Sequence, residues 1–342
     1  MSGVVGNEDL RRAAGHALLV TAVAACYFAA GRLGLMRQLV VDGAVVTPVW
    51  PPTGVAVACL LLFGMRASPG IALGALLVVM SITSIQPTVI GTLVGNTAAP
   101  VCAYYLLCRV GFRTDLARLR DGFALVFLGA LTAMLVSATA GAGLLVLTGK
   151  LASDSFWLVW ATWYAGDAMG VLIVAPVLLV LWRARRLPHT PRWKEAVGLA
   201  LVAGGLIPFA TRSDVSLLFL VYPLVIWAAL RFQLAGGMLC AALASVMATL
   251  AATDQVGPFA RMSRIEVMIK LQAFNGAIAL TALLLSAVIT EQLHTRRSVE
   301  QACRELVEVL EHLTAGESLQ GRSPVDVGDQ GSREERDQSH SG

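Results

Sequence analysis

Residues 156–182 read FWLVWATWYAGDAMGVLIVAPVLLVLW. About 20 apolar helical residues are needed to cross a hydrocarbon core of about 30 Å, where every backbone N–H and C=O must be satisfied inside the helix. This stretch exceeds that length and carries one formal charge, Asp167, near its middle. A carboxylate at such depth costs about 2.5–3.5 kcal/mol on insertion scales, so it must face protein or water rather than lipid. At helical spacing Trp157, Trp160, Tyr164 and Asp167 share a face, with Gly170 one turn further in. Aromatic rings above an acid read as the wall of a cavity. The plainer reading is an interfacial aromatic belt over an acid that cements neighbouring helices.

The surroundings of this stretch are of the same kind. The chain has 342 residues, 56% hydrophobic and 14% charged, with a mean hydropathy of +0.71. An ordinary soluble domain carries about 25% charge, so a soluble globule is excluded. Charge-poor segments fall near 13–35, 51–65, 69–86, 88–108, 122–149, 155–182, 196–211, 215–230, 232–253 and 271–290. The expectation is an all-α, polytopic transmembrane helix bundle of about ten spans. Glu8 to Arg12 precede the first segment in the manner of a signal peptide, yet no small-residue cleavage site leads to a soluble domain. Lys and Arg total 16 on the side shared with the N-terminus and 7 on the other, with the last three in the distal tail. That bias places both termini in the cytoplasm of a cell-membrane protein. Basic charge beside a bilayer anchors, and nucleic acid is not an expected partner.

Several segments are interrupted. Pro51-Pro52-Thr53-Gly54 opens a run that ends by Arg66, a helix of roughly 24 Å that barely spans. Prolines suit a helix start, and this one would leave free N–H groups at or below the outer surface, as in discontinuous transporter helices. A tilted, Pro-capped helix is the alternative. Asn96, beside Gly95 and Thr97, reads first as glue between helices and second as an amide in the same cavity. Arg32 is the nearest deep cation, able either to pair with Asp167 or to reach the headgroups. Asn275 is a weaker candidate. Five of the six cysteines lie in apolar segments without CxxC, and the five histidines are scattered, so neither a metal nor a cofactor is expected.

These residues, in order, resemble a known family. Pro48-Val49-Trp50-Pro51-Pro52-Thr53-Gly54, Pro69-Gly70, Gly95-Asn96-Thr97, Trp163 with Gly166-Asp167 and Gly170, and Pro176 are similar to the first MASE class of bacterial membrane-associated sensor domains. The likeness covers roughly residues 15–290. It implies an integral-membrane input module, usually joined to a histidine kinase or a diguanylate cyclase. Ser68 stands where the family often has an aromatic residue.

Residues 291–313 continue the last span with Val299, Cys303, Leu306, Leu310 and Leu313 spaced by four and three, a short coiled-coil seam through which a homodimer could form. Residues 316–342 have the composition of disorder. The expected organisation is a cytoplasmic N-terminus (1–12), a sensor domain (13–290), a cytoplasmic helix (291–315) and an acidic tail (316–342), with no catalytic domain. The function read from this is signal input rather than catalysis. A small ligand or membrane state is detected through Asp167, Trp160, Trp163, Tyr164, Asn96, Arg32, Pro52, Thr53 and Gly54, then passed to a kinase, cyclase or response-regulator partner. A small-solute transporter and a membrane anchor or assembly protein are the competing readings.

Overall fold

The computed structural model describes residues 2–41, 44–82, 87–184 and 192–320. It divides into two units, residues 1–291 and 292–342. Among the described residues, eight helices are long and apolar enough to cross a membrane: Asp9–Leu35, Pro51–Met80, Val89–Arg109, Leu119–Leu147, Ser153–Ala184, Trp193–Arg212, Leu218–Thr253 and Arg264–Glu311. The expected ten and these eight differ at two breaks. At Gly64 the backbone turns through φ 68°, ψ −163°, which favours glycine. A Cβ on Gly34 would meet Pro51 and Trp50, and one on Gly70 or Gly74 would meet Val23 or Tyr27. The chain thus runs against helix Ser2–Leu35 from residue 51 to 63, and along it from 68 to 80. The second break is Gln233, at φ 54°, ψ −140°. A Cβ on Gly237 would lie 3.3 Å from that of Ala229, eight residues back and about 12 Å away in an unbroken helix. The apparent long helix is therefore a tight pair.

With both breaks included, the described residues hold ten helices: α1 Ser2–Leu35, α2 Pro51–Phe63, α3 Ser68–Met80, α4 Pro87–Arg109, α5 Leu119–Leu147, α6 Ser153–Ala184, α7 Trp193–Arg212, α8 (221–232), α9 (234–253) and α10 Arg264–Gln320. The first runs from Ser2, so the segment assigned to an N-terminal extension is helical. The last runs to Gln320 rather than 315, and the tail beyond it lies outside the described residues. Two three-residue strands, β1 Leu39–Val41 and β2 Ala44–Val46, pair antiparallel between α1 and α2. These strands stand where no strand was expected; β-branched valines favour extended backbone where the chain leaves the helix.

The centre of residues 1–291 is built from small side chains. Ala99, Ala103, Ala130, Ala133, Ala241, Ala244 and Ala248 are buried, while Ile90, Val94, Phe127, Leu201 and Phe219 are exposed. This inversion of the soluble pattern follows from the solvent: lipid accepts the large apolar groups, and helices gain contact by close approach. Two wide helical turns occur, at Leu125–Thr132 in α5 and Gly170–Val174 in α6. The second ends just before Pro176, which has no N–H to continue the ladder.

Candidate functional site

Asp167 sits in the middle of α6 with no exposed surface. Its Oδ2 accepts a 2.6 Å hydrogen bond from Ser137 Oγ of α5. Ser137 Oγ also lies 3.3 Å from the side-chain amide of Asn96 on α4. A serine has one proton, and the shorter contact claims it; turning the Asn96 amide lets its NH2 donate to Ser137 Oγ. Three helices thus meet through one polar relay. Asp167 Oδ1 is buried without a hydrogen-bond partner, as is the phenol oxygen of Tyr27 from α1. That phenol lies in the electrostatic neighbourhood of Asp167 and beside Trp50.

The backbone of α6 is held just as closely. Trp50 N donates to Gly166 O at 2.9 Å. Thr53 Oγ1 is within 2.7 Å of Trp50 O and 3.2 Å of Asp167 O. A Cβ on Gly170 would strike Trp50 O, and one on Gly54 would strike Gly170 O. Gly166, Gly170 and Gly54 let the start of α2 lie directly on α6, a small-xxx-small contact between parallel helices.

All the expected site residues except Arg32 fall into three groups. Asp167, Asn96, Trp163 and Thr53 come together; Trp163 packs over Gly141 of α5 and bears on the Asp167 carboxyl. Pro52 and Gly54 join through backbone packing, and the expected row of open N–H groups at the α2 start is absent. Two prolines have none to offer, Thr53 N donates to Trp50 O at 3.3 Å, and Gly54 is against the Gly170 carbonyl. Trp160 and Tyr164 stack at 5.3 Å, with Trp160 Nε1 donating to Thr139 Oγ1 and Tyr164 Oη to Leu131 O. Their polar atoms are spent on α5, so they close the α5–α6 seam, and Trp157 is 71% exposed.

Arg32 does not pair with the buried acid. Its guanidinium is exposed and donates to Ser81 Oγ at 3.4 Å, the outcome expected when a long cationic side chain can reach a polar interface. Substituting Arg32→Gln should change thermal stability in detergent by less than about 0.5 kcal/mol, the scale of an exposed polar contact; a loss above 2 kcal/mol would place it back in the core.

Sequence reasoning missed Ser137, Tyr27 and Gln272. Ser137 stands in the small-residue run Ser137-Ala138-Thr139-Ala140-Gly141, where close helix approach was the available signal. Tyr27 lies in an apolar run with nothing to mark it. Gln272 of α10 donates through Nε2 to Pro48 O at 2.6 Å, tying the last helix to the segment that enters α2. At the other end of the same span, Glu291 accepts from Leu119 N at the start of α5, where a carboxylate complements the helix dipole. Asn275 is fully buried with both amide atoms unpartnered. Among the described residues no group of His, Cys, Asp or Glu could hold a metal ion.

Neither a curated protein nor a solved structure matches the chain. The family model described as MASE1 matches residues 19–293. MASE1 is a membrane sensory domain of signalling proteins, occurring with histidine kinase and diguanylate cyclase output domains. A multi-pass bundle with a glycine-lined contact at Trp50 and a buried acid is thus matched over most of its length, and the chain belongs to the MASE1 family.

Proposed function

We propose that this chain is a membrane signal-input protein without catalytic activity of its own. A small ligand or a membrane state alters the packing around Asp167, and the change reaches a cytoplasmic histidine kinase, diguanylate cyclase or response regulator through α10. Both termini face the cytoplasm, as the Lys/Arg bias favours. The observation that carries the reading is the Asp167 cluster: a fully buried acid with one oxygen held by Ser137 and the other unpartnered. An intramembrane acid is expensive to keep, which favours a functional role over a purely structural one.

A physical route for the signal accompanies it. Asp167 O contacts Thr53, Thr53 contacts Trp50, and Pro48 two residues earlier accepts from Gln272 of α10. A shift of α6 therefore moves the α2 entry and bears on the helix that leaves the bundle. Coupling of this kind needs a differential interaction with two arrangements of the helices.

The test fuses a diguanylate cyclase reporter after residue 320 and compares the parent with Asp167→Asn and Gln272→Leu at equal membrane insertion. Condition-dependent output in the parent, frozen in Asp167→Asn and uncoupled in Gln272→Leu, is the expected result. Identical output from all three under every growth condition would reject the reading. Solute flux in proteoliposomes that disappears in Asp167→Asn would instead favour a transporter.

A further inference from the structure

Beyond Glu291 the sequence of α10 changes character, and its apolar residues collect on one side. Val299, Leu306, Val307, Val309 and Leu310 are each between 54% and 63% exposed, and Cys303 is exposed with a free thiol. At 100° per residue these six and Ala302 fall within an arc of about 160°. Gln301, Arg304, Glu305, Glu308 and Glu311 occupy the remainder. The row Val299, Cys303, Leu306, Leu310 alternates by four and three, the spacing of core positions d and a in a heptad. Val307 and Val309 then fall at e and g, widening the face that a neighbour would cover.

From this arrangement we infer that residues 299–310 pair with the same residues of a second copy of the chain, parallel and in register, with Cys303 facing Cys303. The partner is a second copy for two reasons. Copies inserted in one membrane have their last helices at the same height and in the same direction, so like residues meet and antiparallel pairing is excluded. In that register the flanking g–e pair sets Ala302 beside Val307 of the second copy. No like charges oppose one another across residues 299–310, and Glu305, Glu308 and Glu311 lie on the far side of each helix. Arg296, at the next core position toward the membrane, limits the pairing to the residues after it, since two arginines would face each other there. This names the assembly of the proposed signalling helix but does not depend on the Asp167 site.

Cross-linking of the full chain in native membranes tests it. Copper–phenanthroline with oxygen oxidises two facing thiols to one disulfide, and the native chain should give a cross-linked dimer that Cys303→Ser removes. In a chain with the exposed Cys26, Cys108 and Cys303 replaced by serine, Val299→Cys, Leu306→Cys and Leu310→Cys should cross-link about tenfold more than Gln301→Cys, Glu305→Cys and Glu308→Cys, following the heptad. Light scattering of the purified native chain should give two copies, and Leu306→Glu with Leu310→Glu should give one. Equal yields on both faces, no dimer product, or a one-copy mass for the native chain would each overturn the inference. No readout here requires a ligand, so these failures are distinguishable from failure of the sensor reading.

Discussion

Replacing Gly54 by valine is expected to prevent the bundle from assembling. A Cβ at this position would fall on the Gly170 carbonyl oxygen and 2.6 Å from Val174 Cβ. Neither obstacle is the free end of a flexible side chain, so relief requires α2 and α6 to separate. Separation in turn breaks the Trp50 N to Gly166 O bond of 2.9 Å and draws Thr53 off Asp167 O. Overpacking a well-packed core typically costs about 1–3 kcal/mol, and a clash with backbone lies at or above the top of that range. Size-exclusion chromatography of the detergent-solubilised variant should show the monodisperse peak replaced by aggregate. Gly204 is the control: it is exposed with nothing within 4 Å of a built Cβ, and Gly204→Ala should leave the profile unchanged or improve it, since alanine is the better helix former. A well-behaved Gly54→Val protein would mean that the close contact is not maintained.

Substitutions at Asp167 are expected to split by chemistry. Asp167→Leu removes the 2.6 Å acceptor for Ser137 Oγ and leaves that buried hydroxyl only the longer, 3.3 Å contact with Asn96, at about 1–3 kcal/mol for the lost partner. It also forces a branched apolar side chain between α5 and α6. A total loss of about 3 kcal/mol or more is expected, read as a fall in the thermal midpoint in detergent. Asp167→Asn keeps the shape and an oxygen for Ser137, and should cost about 1 kcal/mol or less. The amide holds the helices together but carries no charge and no titratable proton. If asparagine proves as damaging as leucine, the ionisable group is needed for folding itself, and the acid is structural cement. If asparagine preserves stability while the reporter output is lost, the acid belongs to the signalling step.

Much of the architecture was legible in the sequence because lipid imposes a simple rule. Apolar runs of sufficient length, separated by arginines, give the helices and their alternation without reference to any contact. The ten segments counted from composition reappear once the reversals at Gly64 and Gln233 are recognised, although a count by helix length alone gives eight. The helix of 221–253 illustrates this: Arg231 parts two apolar runs in the sequence, and the approach of Gly236 and Gly237 to Ala228 and Ala229 shows that the chain doubles back there. The β1–β2 pair left no comparable mark, valine being equally at home in a membrane helix.

For the site, the sequence determined that an acid lies deep in the bundle and must be enclosed, because hydrocarbon cannot solvate it. Which groups enclose it was decided by tertiary structure. Ser137 and Tyr27 come from helices whose local sequence carries no polar signal, and helical periodicity within α6 cannot tell which neighbour a face will meet. The same limit explains Arg32, close to the acid by depth alone but turned outward to Ser81 because its long side chain can reach a polar surface at little cost. Periodicity fixes what shares a face; packing fixes what that face touches.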